Sequence, residues 1–166
     1  MKKIIKKKIN IINISPKYTA IWKCGYNIYK ELKKNNNVKV KFIDLWDKDI
    51  ISKNNFFRAI QLIRGINIKT SVDEINFYTS LLCVNFMKKN KSKKNIILIH
   101  DLYPIKNIEN IFVSALTRLL YKKIKNADII LTNSETTKKE YTRIYGPRKQ
   151  IFTIYLGIND LFIKNK

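Results

Sequence analysis

Residues 95–104 read Asn-Ile-Ile-Leu-Ile-His-Asp-Leu-Tyr-Pro, and no other stretch constrains the fold more. Four consecutive apolar residues, Ile96 to Ile99, follow a lysine-rich segment, and a proline closes the run. A short unbroken apolar run of this kind predicts a strand buried on both faces, as in a parallel sheet. Polar chemistry begins abruptly at its C-terminal end with His100, the only histidine of the chain, and Asp101. Open α/β sheets bind ligands in the crevice outside the C-terminal ends of their strands. The pattern recurs at 127–134, Ala-Asp-Ile-Ile-Leu-Thr-Asn-Ser, a second apolar run with a polar end.

The rest of the chain alternates in the same way. Apolar or alternating runs predict strands at 9–14, 38–45, 72–78 and 150–156, besides 96–99 and 128–132. Helical spacing of apolar residues predicts helices at 25–34, 56–64, 80–89, 111–125 and 135–145. Lys23, Cys24 and Gly25 read as a loop leading into the first helix. Ser134 is a good N-cap for the last helix, and Gly146-Pro147 ends it. Strand and helix alternate throughout, with neither an internal repeat nor a linker. The expectation is one α/β domain over 1–166: a Rossmann-like, doubly wound, mostly parallel sheet with helices on both faces.

Charge is the extreme of the composition. Thirty-four Lys and Arg against 12 Asp and Glu give +22 over 166 residues. Such a balance fits a polyanionic partner, either nucleic acid or an anionic membrane surface. Basic residues, however, are spread through every predicted helix, and Lys, Ile and Asn crowd the whole chain, as AT-rich coding would produce. No helix-turn-helix, zinc-ligand spacing or RNP-like motif accompanies them, which ranks nucleic acid low as a partner. Cys24 and Cys83 lack metal-ligand spacing, so no metal site is expected. Two cysteines in a chain of this size also fit a reducing, cytoplasmic setting. No apolar run reaches the length of a membrane span, and the basic N-terminus lacks the features of a signal peptide.

Three segments in order resemble family 4 glycosyltransferases. His100-Asp101-Leu102-Tyr103-Pro104 is similar to their HDL-x-P segment. Ala127-Asp128-Ile129-Ile130 with Asn133-Ser134-Glu135-Thr136-Thr137-Lys138-Lys139-Glu140 resembles their AD-x-I and S-E-x-T-K-x-E segment. The run from Gln150 to Asn159, with Phe162, resembles K-I-x-V-I-x-x-G-V-D-x-x-F. The likeness covers 96–162, and the first 70 residues fit in layout only. It implies one half of a GT-B fold, two Rossmann-like domains facing each other across a cleft. The N-terminal domain of that architecture mainly binds the acceptor and the C-terminal one the nucleotide-sugar. The C-terminal segments of the family, its E-x7-E and phosphate-binding Arg and Lys, do not occur in these residues. The implied function is therefore the acceptor-side half of a retaining, nucleotide-sugar-dependent hexosyl transfer enzyme. It is expected to be inactive alone and to need a C-terminal domain from a separate polypeptide, with no cofactor beyond the nucleotide-sugar substrate. The alternatives are a basic nucleic-acid- or membrane-binding α/β module, or an inactive truncated product.

The resemblance also implies roles for particular residues. His100 would be catalytic, pointing into the cleft at the acceptor or the transferred sugar; packing at the strand end is its bland role. Asp101, Tyr103 and Ser134 would line the acceptor side, although the turn before Pro104 is the commoner use of such an Asp and lining the cleft is secondary for Ser134 to capping the helix. The family places two glycines where this chain has Lys23-Cys24-Gly25, so Lys23 and Gly25 would form what remains of a donor-phosphate loop. Gly157 would start the hinge to the second domain. Apolar residues in the adjoining loops, Tyr18, Ile21, Trp22 and Tyr103, with Leu161 and Phe162 beyond the hinge, predict a covered face. The expected cover is the donor domain, or a homodimer through the same surface. Lipid-linked or sugar acceptors, and peripheral contact between lysine-rich helices and an anionic membrane face, complete the expected partners.

Overall fold

A computed structural model describes residues 7–102, 121–148 and 150–155. Six strands form a single sheet: β1 (Lys7–Asn13), β2 (Val38–Asp44), β3 (Glu74–Tyr78), β4 (Lys94–Ile99), β5 (Ile129–Thr132) and β6 (Ile151–Thr153). All five neighbouring pairs are parallel. The strand order is β2-β1-β3-β4-β5-β6. Four α-helices lie among the described residues: α1 (Ala20–Lys33), α2 (Asn55–Arg64), α3 (Phe86–Lys89) and α4 (Glu135–Tyr145). The α/β architecture with a parallel sheet is as expected.

Burial explains why the strands read as unbroken apolar runs. Neighbouring residues enter opposite cores: Ile11, Phe77 and Leu98 join one cluster, while Ile12, Tyr78, Ile97 and Ile99 join the other. Cys24, Ile28, Tyr29 and Leu32 of α1 cover the first face. Leu62 of α2, Phe86 and Met87 of α3 and Tyr141 of α4 cover the second. This division follows from the strand order. The chain leaves β1 toward β2 in one direction, then returns to β3 and proceeds in the other, so the crossover helices change face. β2 lies at one edge of the sheet, which accounts for its alternating, wetter pattern.

Three element boundaries differ from the sequence expectation. Helix α1 starts at Ala20, not at residue 25, because Thr19 caps it by accepting from the Trp22 backbone N–H. The helix expected over 80–89 breaks into a 3-10 turn, Leu81–Cys83, and the single turn of α3. There Ser80 caps with its side chain and Asn90 turns back to Phe86, so capping competes with helix continuation. The last strand spans only three residues. Of the helix expected over 111–125, only its end is described, closing in a 3-10 turn, Lys123–Asn126. Tyr103, Gly157, Leu161 and Phe162 lie outside the described residues.

Candidate functional site

The winding reverses between β1 and β3, and the C-terminal ends of these two strands open the crevice where such folds bind ligands. A chain of hydrogen bonds crosses that edge of the sheet. It starts at Asp44, the last residue of β2. Its Oδ2 accepts from the Trp22 indole N–H at 2.5 Å. Its Oδ1 accepts from the backbone N–H groups of Trp46 and Asp47 at 3.1 and 3.2 Å, and from Asn13 Nδ2 at 3.3 Å. Asn13 is fully buried at the end of β1 and donates also to the Ser15 carbonyl at 2.7 Å. The Thr79 hydroxyl, just past β3, lies 3.1 Å from Asn13 Oδ1 and 3.2 Å from the Ile12 carbonyl.

The chain continues through Thr79 to His100. Nε2 of His100 is 3.0 Å from the Thr79 carbonyl oxygen. A carbonyl only accepts, so Nε2 carries the hydrogen, and in the neutral ring Nδ1 is the acceptor. Burial pushes the His100 pKa below its ordinary value, against the smaller upward pulls of the Thr79 carbonyl and Asp101. The His100 main chain is held as well. Its carbonyl lies 3.3 Å from the Thr137 hydroxyl, whose one hydrogen it shares with Asn133 Oδ1 at 3.1 Å. Thr137 in turn sits in the first turn of α4, where its backbone N–H donates to Ser134 Oγ at 3.1 Å. Ser134 is thus an N-cap, as its sequence position indicated. Asp101 follows His100 at an exposed position.

Lys23 and Gly25 require a correction. Neither lies in a loop: both are inside α1, with Lys23 exposed on its surface. Gly25 is the point at which α1 meets the sheet. A Cβ built there would stand 2.5 Å from Thr79 Cγ2 and 3.8 Å from Phe42 Cε2. The glycine serves close helix–strand packing and not a phosphate-binding turn. Trp22 is also more committed than a docking residue would be. Its ring stacks on Tyr26 at 4.7 Å and meets Phe42 edge-on, besides bonding Asp44. Tyr18 is different, 81% exposed beside the same edge.

Asn13, Asp44 and Thr79 escaped the sequence reading, and Thr137 entered it only within a motif, although the four form most of the network. The one available signal was the position of each polar residue at the end of an apolar strand or the start of a helix. Among the described residues no group of three or more His, Cys, Asp or Glu is placed to hold a metal ion. Cys24 is half-buried, with its thiol pushed up to about 11, and Cys83 is fully buried with its thiol pushed higher still. Both are protonated at neutral pH and poor nucleophiles. Compared with known proteins, the chain matches no family model and no curated protein sequence. No described helix is long and apolar enough to cross a membrane.

Proposed function

We propose that this chain is the acceptor-side domain of a retaining, nucleotide-sugar-dependent glycosyltransferase of the GT-B type. The observation that carries the reading is the hydrogen bond from Thr137 to the His100 carbonyl. It joins two segments that resemble separate family motifs, His100-Asp101-Leu102 and Ser134-Glu135-Thr136-Thr137, at the C-terminal edge of one parallel sheet. His100 is the group proposed to meet the acceptor or the transferred sugar, through the lone pair on Nδ1. A ring already fixed by the Thr79 carbonyl loses little freedom when it accepts a hydroxyl proton, which is the preorganisation such a role needs. Asp101 and Ser134 flank it on the acceptor side, with Ser134 divided between that role and its cap.

Lys23 and Gly25 drop out as the donor-phosphate loop, because a helix occupies their place. Donor binding is therefore assigned to a second, nucleotide-sugar-binding domain docking on this edge, with exposed Tyr18 as the apolar contact. One domain does not position both substrates across a cleft.

The test is reconstitution. The purified chain is assayed with UDP- and GDP-sugars alone, then with the companion protein recovered by co-purification from its native cell. Transfer is expected only in the mixture, and His100→Ala is expected to reduce it by about 10²–10⁴-fold. Turnover by these 166 residues without a companion overturns the reading, and so does full activity of the His100→Ala mixture.

A further inference from the structure

A pocket of about 240 Å³ lies between the 121–126 segment and α4. Among the described residues its lining is Tyr121, Lys122, Lys125, Tyr141, Tyr145 and Arg148. Three of these six carry a positive charge and none carries a carboxylate. The Tyr145 and Arg148 end of the pocket lies away from the strand-end site, whereas Tyr121 is near enough to Asp101 to feel its charge. Ser134 caps α4 at that edge, whereas Tyr145 is the last residue of the same helix. Eleven helical residues span about 16 Å.

The cation at the wall is held in place. Arg148 Nη1 donates to the Ile124 carbonyl at 3.3 Å and Nη2 to the Lys125 carbonyl at 2.9 Å. These two bonds fix the orientation of the guanidinium, which also hydrogen-bonds the Tyr141 hydroxyl. Arg148 also draws down the Tyr141 hydroxyl, against the larger upward push of its burial. Asp101 raises the Tyr121 pKa together with burial, but it stands outside the lining. Lys122 and Lys125 are exposed at the mouth. Tyr141 and Tyr145, with centroids 5.2 Å apart and rings tilted by 36°, supply an aromatic wall.

We propose that this pocket binds a phosphate group, free or on a small phosphomonoester. A fixed guanidinium beside two exposed ammonium groups gathers three positive charges at one place, which matches a dianion better than a monocarboxylate. The volume admits a phosphate with a few carbons beside the tyrosine wall. Because the whole chain is strongly basic, the test must separate this pocket from diffuse charge.

Inorganic phosphate, glycerol 3-phosphate and acetate are titrated into the ¹⁵N-labelled chain at equal ionic strength. Three proteins are compared: the native chain, Lys122→Gln/Lys125→Gln, and Lys88→Gln/Lys89→Gln, which removes the same charge from α3. Both phosphates are expected to shift the amides around Tyr145 and Arg148, and acetate is not. Affinity should fall about tenfold in the pocket variant and stay unchanged in the α3 variant. Tighter binding of glycerol 3-phosphate identifies a phosphomonoester pocket, and equal binding a phosphate pocket. An equal loss in both variants, acetate binding as tightly as phosphate, or no shift at all overturns the proposal. Arg148→Lys, with its thermal stability followed in parallel, should weaken phosphate binding without unfolding the chain. Unaltered binding there also counts against the site.

Discussion

Nε2 of His100 lies 3.0 Å from the carbonyl oxygen of Thr79, so the only histidine of the chain is tied to the strand beside its own. The bond fixes which nitrogen carries the proton and joins the ends of β3 and β4.

Protonation of His100 should oppose folding. Burial holds its folded-state pKa below the ordinary 6.5. The unfolded chain then binds a proton more readily, and stability rises with pH in that window. The His100 contribution is complete above about pH 6.5 and is lost as pH falls below it through the folded-state value. Urea denaturation between pH 7.5 and 5.5 should show a decline that His100→Gln reduces. An NMR titration with the imidazole at or above 6.5 contradicts this.

Gly25→Ala should destabilise the domain by about 1–3 kcal/mol, the usual cost of overpacking. The new methyl would stand 2.5 Å from Thr79 Cγ2. Thr79→Ser removes that methyl and keeps the hydroxyl, so the double variant should recover part of the loss. Chemical denaturation of the four proteins gives the coupling energy, and simple additivity would mean that the contact is not the cause.

Asp44→Ala should cost about 1–3 kcal/mol, because it strips the acceptor from Asn13, Trp22 and two backbone N–H groups. Trp22 reports the change directly. Its indole fluorescence should shift as the bond is lost, and an unaltered spectrum with unaltered stability would remove Asp44 from the network.

Ser134→Ala removes the acceptor for the Thr137 backbone N–H and should cost about 1 kcal/mol. In a domain of this size the melting temperature should drop by about 2–4 °C. Ser134→Asp, another good cap, should restore it. Failure of the aspartate would mean that the hydroxyl matters for its bond to Thr137 Oγ1, 2.9 Å away, and not as a cap.

The legible parts of this molecule were those governed by local pattern. Ile96 to Ile99 announced a doubly buried strand because both faces of β4 are covered, and Ser134 announced a helix start because capping needs only neighbours in sequence. The misread parts depend on distant partners. Gly25 looked like a loop residue, but what requires glycine there is Thr79, which the fold brings against it. Asn10 and Asn13 interrupt the apolar run of β1, and nothing local names their partners. Both are buried, satisfied by Glu74 and Asn76 in one case and by Ser15 and Asp44 in the other. Trp22 was assigned to a docking face on hydrophobicity alone, whereas Asp44 and Phe42 hold it within the domain.

The place of β1 between β2 and β3 has a consequence for synthesis. One side of β1 pairs with β2 soon after both leave the ribosome, but its other side waits for β3, and Asn10 meets Asn76 across 66 residues. At about 5–20 residues per second, β1 spends roughly 3–13 s as an open edge in the nascent chain. An unpaired strand rich in isoleucine is a template for wrong partners. The asparagines at 10 and 13 and the lysines at 7 and 8 interrupt that edge during the wait. Residues that look like flaws in a core strand would then guard it until β3 arrives.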